Sequence, residues 1–167
     1  FFKGQEVLRI RRKFKRLRQQ LQSRGTKSAK RRLKKIGQRE NRWMTDINHQ
    51  LSKTLVNRYG ADTLFVLENL ANVRFATEKV TKTQRYEQVS WAFYQLAQFL
   101  TYKAHLVGSE VVQVSAKYTS QRCPKCGRIY KNNRNHQQHL YVCDRCGYQS
   151  NDDRIGAMNI QLLGTQY

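Results

Sequence analysis

Thr63-Leu64-Phe65-Val66-Leu67-Glu68 is a short, largely apolar run that follows Gly60 and closes on a carboxylate. A run this short reads as a strand buried in a mixed or parallel sheet. Downstream, residues 86–104 place Val89, Ala92, Phe93, Leu96, Phe99, Leu100 and Ala104 on one face of an amphipathic helix, which Gly108 ends. Glu110-Val-Val-Gln-Val114 then reads as a second strand, and residues 153–163, closed by Gly164, as a final helix. Strand, helix, strand, small insert and helix make an α/β pattern. Residues 70–84 read as a polar loop.

Upstream of the strand the composition is different. Residues 1–60 carry 19 of the chain's basic residues and only three acids, Glu6, Glu40 and Asp46. Val7, Ile10, Phe14, Leu17 and Leu21 recur at helical spacing, as do Leu33, Ile36, Trp43, Ile47 and Leu51. Ser23-Arg-Gly25-Thr-Lys-Ser28 between them is a turn with a fresh N-cap. The reading is a helical hairpin with an apolar seam and a cationic outside. Over 167 residues the net charge is +21, with 32 Lys and Arg against 11 Asp and Glu. Such a chain repels itself unless a polyanion neutralises it, and nucleic acid is the obvious partner. No apolar stretch is long enough to span a bilayer.

The four cysteines form Cys123-Pro-Lys-Cys126-Gly127 and Cys143-Asp-Arg-Cys146-Gly147, two pairs with 16 residues between them. This spacing fits a tetrahedral four-thiolate zinc site built from two knuckles. A redox pair or buried free thiols are the alternatives. Four sulfur ligands leave no open position, so the expected zinc is structural and folds about 35 residues (117–150) that lack a core of their own. Knuckles of this kind suit a reducing cytosol. His136 and His139 lie between the pairs and read as solvated or phosphate-facing. Arg128, Lys131 and Arg134 in the same loop fit a nucleic-acid contact or a merely soluble loop.

Acids are scarce, so their placement is informative. Glu68 stands at the carboxyl end of a buried strand, where α/β sheets place ligand sites; position alone favours a plain surface glutamate. Asp153 opens the last helix, where it or Asp152 would serve as N-cap. Together the two could hold divalent cations beside a phosphodiester, since two Mg²⁺ ions on a few carboxylates stabilise in-line hydrolysis. Asp46 lies within an expected helix and fits poorly as a further ligand.

Three motifs carry a resemblance. Val66-Leu-Glu-Asn-Leu70 resembles the second-acid motif of RuvC-like nucleases. Tyr118-Thr-Ser-Gln-Arg-Cys-Pro-Lys-Cys-Gly127 resembles the entry to the zinc ribbon of transposon-associated TnpB (OrfB) proteins. Asp153-Arg-Ile-Gly-Ala-Met-Asn-Ile160 is similar to that family's closing Asp-x-Asn-Ala-Ala-x-Asn-Ile, with Ile155 and Gly156 departing from it. Gly156 lowers local helix propensity by about 1 kcal/mol. Motif order and spacing cover nearly the whole chain.

The resemblance implies an RNase H-like (RuvC-like) α/β fold with an inserted four-cysteine zinc ribbon. It implies RNA-guided DNA cleavage related to type V CRISPR effectors. Glu68 and Asp153 match the second and third catalytic acids, with Mg²⁺ as catalytic cofactor, Zn²⁺ as structural cofactor, and guide RNA and target DNA as partners. The domain reading is a basic hairpin over 1–60, a RuvC-like core over 61–116, the ribbon over 117–150 and a terminal helix over 151–167. Arg11, Arg12, Lys15, Arg16, Arg31, Lys34 and Lys35 on the hairpin are expected to meet phosphates, and Arg154 the scissile strand. The first acid is expected upstream of Phe1, which makes this chain a carboxyl-terminal part that binds nucleic acid without cutting it. The setting implied is a prokaryotic cytoplasm, at the nucleoid. Alternatives are a nuclease-dead RNA-guided repressor and a zinc-ribbon RNA-binding protein.

Overall fold

The computed structural model describes residues 4–70 and 93–166. Among these residues the chain forms helix α1 (Gly4–Arg24), α2 (Lys27–Tyr59), strand β1 (Leu64–Asn69), α3 (Phe93–His105), β2 (Glu110–Ser115), short strands β3 (Arg134–Asn135), β4 (Leu140–Val142) and β5 (Gln149–Asn151), and α4 (Asp152–Gly164). The expected polar loop and residues 86–92 of the expected core helix lie outside the described residues, apart from Leu70. Two compact units result, 1–60 with 73–103 and 61–72 with 104–167.

In the first unit α1 and α2 pack as a hairpin. Thr26 caps α2, its hydroxyl accepting from Ala29 N at 3.2 Å. Phe14 and Trp43 meet across the hairpin with ring centroids 6.3 Å apart. Leu33, Ile36, Trp43, Ile47 and Leu51 of the expected seam are half-buried, and the most buried stripe of α2 is Glu40, Met44, Asn48, Ser52 and Val56. Steps of four residues keep this stripe on one helix face. Its polar members are paired. Glu40 forms an ion pair with Arg18. Asn48 donates to Gln95 Oε1 at 3.0 Å, and Ser52 accepts from Lys103 Nζ at 2.7 Å. Helix α3 meets α2 through these groups and through the His49–Phe99 stack at 3.8 Å.

In the second unit β1 and β2 pair in parallel, Phe65 opposite Val111 and Glu68 opposite Val114. Glu68 lies inside the strand, one residue before its end, rather than after it. The β-branched Val111, Val112 and Val114 suit a half-covered sheet. Alternation along β1 puts Val66 and Glu68 on one face. Helix α4 covers that face so closely that a Cβ on Gly164 would lie 2.3 Å from Val66 Cγ2. Strands β3, β4 and β5 form an antiparallel sheet in that order, and β5 runs directly into α4. Among the described residues, no helix is long and apolar enough to cross a membrane.

Candidate metal centres and nucleic-acid surface

Both Cys-x-x-Cys-Gly segments fold alike. Cys123 N donates to Arg128 O at 2.8 Å and Gly127 N to Cys123 O at 2.9 Å; Cys143 N donates to Tyr148 O at 2.9 Å and Gly147 N to Cys143 O at 3.0 Å. Gly127 and Gly147 adopt φ of +73° and +67°, the left-handed region glycine enters without steric cost. The two turns bring all four Sγ atoms within 4.8 Å of one another. Cys123 and Cys146 lie 3.7 Å apart, Cys126 and Cys143 3.6 Å. Tetrahedral Zn–S bonds of about 2.3 Å require sulfurs roughly 3.8 Å apart, so this set fits zinc.

Desolvation pushes the Cys143 thiol up, but hydrogen bonds from the backbone N–H of Cys146 and Arg145 and from neighbouring thiols bring it down to about 7. At Cys146 the Tyr148 backbone N–H pulls the other way, yet burial and the adjoining thiols leave it pushed up to about 12. Backbone donors aimed at sulfur are what a thiolate-binding knuckle needs. Around the thiols, Tyr141 and Ile155 are fully buried and complete a small core. Ile155, which departs from the resembled motif, is thus a packing residue of this module.

Asn151 caps α4, accepting from Asp153 N at 3.0 Å and Arg154 N at 3.2 Å. Neither aspartate is the cap, which corrects that expectation. Asp152 is buried, bonded by Arg134 Nε at 2.7 Å and approached by His139 Nδ1 at 3.4 Å and His136 Nδ1 at 3.8 Å. Asp153 is 74% exposed and accepts from Arg134 Nη2 at 3.3 Å. Arg134 is therefore an intramolecular partner of two acids, and Arg128 likewise pairs with Asp144 at 3.2 Å. Neither is simply the phosphate contact or solvated loop residue expected. His136 and His139 belong to the Asp152 cluster rather than the sulfur site.

Arg134→Met is expected to destabilise this unit by about 3–5 kcal/mol near neutral pH, since it strips a buried carboxylate of its cation. Burial pushes the Asp152 carboxyl up, but the Arg134 hydrogen bond and charge, together with His139, hold it below its ordinary value. A depressed folded-state pKa gives stabilisation that is present above the ordinary carboxylate range and lost as pH falls through the folded value. Variant and wild type should therefore converge in acid. Melting curves at neutral and acidic pH check both parts.

Glu68 is half-buried, and its Oε1 accepts from Thr119 Oγ1 at 2.6 Å. The Thr119 carbonyl accepts from Asn159 Nδ2 on α4 at 2.7 Å. Glu68 and α4, which carries Asp153 in its first turn, are thus joined through one buried threonine. Among the described residues, the clusters of ligand-type atoms are the four cysteines and His139–Asp152–Asp153; Glu68 is in neither. Asp46 sits on α2, exposed and bonded by Gln50 Nε2 at 2.8 Å. Thr119 falls within the motif that enters the ribbon and Asn159 within the closing motif, but no sequence signal marks either as a partner of Glu68.

On the hairpin, Arg12, Arg16, Arg31, Lys34 and Lys35 are exposed and Lys15 half-buried, whereas Arg11 is 2% exposed and is withdrawn from the phosphate-facing set. An open groove of about 770 Å³ is lined by Arg9, Arg12, Arg16 and Arg39 with Phe14 and Trp43. Arg154 is exposed on the first turn of α4.

Comparison with known proteins matches residues 93–160 to the family "Cas12f1-like, TNB domain". The chain is 34% identical over 118 residues to the CRISPR-associated endodeoxyribonuclease Cas12f1 of Sulfoacidibacillus thermotolerans, covering 69% of this chain and 26% of that protein. It is 32% identical over 131 residues to the TnpB-like protein MJ0751 of Methanocaldococcus jannaschii, covering 77% of this chain and 45% of that protein. Its fold matches a chain in the cryo-EM structure of a Cas12f1–sgRNA–target DNA complex with a TM-score of 0.69 at 17% identity, over 95% of this chain and 42% of that one. The chain therefore spans less than half the length of these relatives.

Proposed function

We propose that this chain, a relative of the TnpB-like and Cas12f proteins, provides two metal-binding carboxylates and a nucleic-acid grip to an RNA-guided DNA endonuclease. The observation that carries the reading is the placement of Glu68. It lies at the carboxyl end of a parallel strand, on the face covered by α4, and is tied to α4 through Thr119 and Asn159. A soluble basic RNA-binding module has no need of a carboxylate fixed at that position. The strand pair with α4 is read as part of a RuvC-like, RNase H-like core, and residues 117–150 as a zinc ribbon held by Cys123, Cys126, Cys143 and Cys146.

Glu68 and Asp153 offer hard oxygen donors, which suits Mg²⁺. Divalent cations held by Glu68 and Asp153 would supply charge stabilisation to phosphodiester hydrolysis. The protein's part is orientation. Thr119 holds one oxygen of Glu68, and Arg134 steadies Asp153 at the start of α4. Arg12, Lys15, Arg16, Arg31, Lys34 and Lys35 hold guide RNA or its duplex with target DNA through phosphates, without reading sequence. Arg154 lies one residue from Asp153 and meets the strand being cut.

The whole protein, loaded with its RNA, should cleave matched DNA in Mg²⁺ and not in EDTA. Residues 1–167 alone should bind nucleic acid, losing roughly 10³-fold or more in affinity between about 50 and 200 mM salt, and should not nick. DNA bound but uncut by the whole protein in Mg²⁺ would favour a binding-only repressor instead. Salt-insensitive binding by residues 1–167 would remove the phosphate grip.

A further inference from the structure

We infer that the four-cysteine module positions Glu68, acting through Thr119 and Asn159; this rests on the reading of Glu68 as a metal-binding carboxylate. Thr119 is 3% exposed, and its hydroxyl lies 2.6 Å from Glu68 Oε1, a charge-assisted distance, against 3.1 Å to the Ala116 carbonyl. Metal-ligating carboxylates are commonly fixed by such outer partners, whose loss weakens metal binding or activity without touching the ion.

Thr119 is itself held from two sides. Behind it, Tyr118 takes φ of +63°, uncommon for a tyrosine, and its carbonyl accepts from Gln121 N at 3.0 Å and Arg122 N at 2.9 Å. This turn runs straight into Cys123. From α4, Asn159 is 2% exposed and donates to the carbonyls of Thr119 at 2.7 Å and Arg122 at 2.8 Å. The chain of contacts is short: sulfur knuckle, turn 118–122, Thr119, Glu68. A ribbon that only bulked out the surface would not place a buried hydroxyl on a strand-end carboxylate 51 residues earlier.

The test uses the whole RNA-loaded protein and measures single-turnover DNA cleavage against Mg²⁺ concentration. Thr119→Val keeps the side-chain shape and removes the hydroxyl; Thr119→Ser keeps the hydroxyl. Thr119→Val should raise the half-saturating Mg²⁺ concentration about 10–100-fold with bound zinc and RNA affinity unchanged, and Thr119→Ser should restore it. An unchanged Mg²⁺ dependence in Thr119→Val would overturn the inference. So would equal losses in both variants accompanied by loss of zinc, which would assign Thr119 to folding alone. Glu68→Ala run alongside separates the two levels. If Glu68→Ala stays active, the nuclease reading itself fails. If it is inactive while Thr119→Val behaves as wild type, only the positioning role fails.

Discussion

Glu68→Ala and Asp153→Ala, each made in the whole protein, should reduce DNA cleavage by about 10³-fold or more and leave RNA binding unchanged. The size follows from what a bound divalent cation contributes to phosphodiester hydrolysis, several kcal/mol of charge stabilisation, at roughly 1.4 kcal/mol per tenfold. RNA binding should survive because the cationic residues of the hairpin are in a different compact unit from both acids. Folding should survive too. Asp153 is 74% exposed and meets Arg134 at 3.3 Å, so its removal leaves that guanidinium its shorter bond to Asp152. Glu68→Ala leaves the Thr119 hydroxyl within 3.1 Å of the Ala116 carbonyl, an acceptor it can use instead. Cleavage time courses and RNA titrations on the same preparations check both halves. Near-normal cutting by either variant would remove that residue from the reaction. Asp152→Asn is the useful contrast: it disturbs a buried ion pair, so it should show first in the melting temperature.

Those elements whose signal lies in local pattern were legible from the amino-acid order. The cysteine spacing with its paired glycines led to the sulfur cluster, and the apolar run ending in Glu68 led to β1, with the boundary displaced because strand pairing with β2 continues through Asn69. The tightest face of α2 was not legible. Hydropathy selects Leu33, Ile36, Trp43, Ile47 and Leu51, whereas the closest packing uses Asn48 and Ser52, which hydrogen-bond to Gln95 and Lys103. A burial driven by hydrogen bonds to a helix some 50 residues away leaves no periodic trace. Arg11 and Arg134 were hidden for a related reason. In a chain of +21 every arginine looks like a phosphate ligand, and only coordinates separate the few that are buried or already paired with acids. Thr119 and Asn159 sat inside recognisable motifs, which mark positions without saying what each side chain touches.

Stripping metal from the four-cysteine site should unfold residues 117–150 and leave the helical hairpin folded. The buried core of this module is Cys123, Tyr141, Cys143 and Ile155, with Cys126, Cys146 and Tyr148 packed against it. Four of those seven residues are the thiols themselves, so little apolar surface remains to hold the fold once their common ligand is gone. Structural zinc sites in small peptides contribute on the order of 10–16 kcal/mol near neutral pH, more than a three-stranded sheet of two- and three-residue strands can replace. Cys126→Ser should act in the same direction, since it removes one of the four ligands. Hydrogen exchange resolves the outcome by region. Amides of β4 and of the first turn of α4, where Ile155 enters the module core, should lose protection, while those of α1 and α2 keep theirs. Zinc content of about one ion per chain in the untreated protein, falling with the loss of protection, completes the test. Protection of Tyr141 and Val142 that outlasts the metal would show a module folded by packing alone, and would leave the sulfur cluster without the role assigned to it.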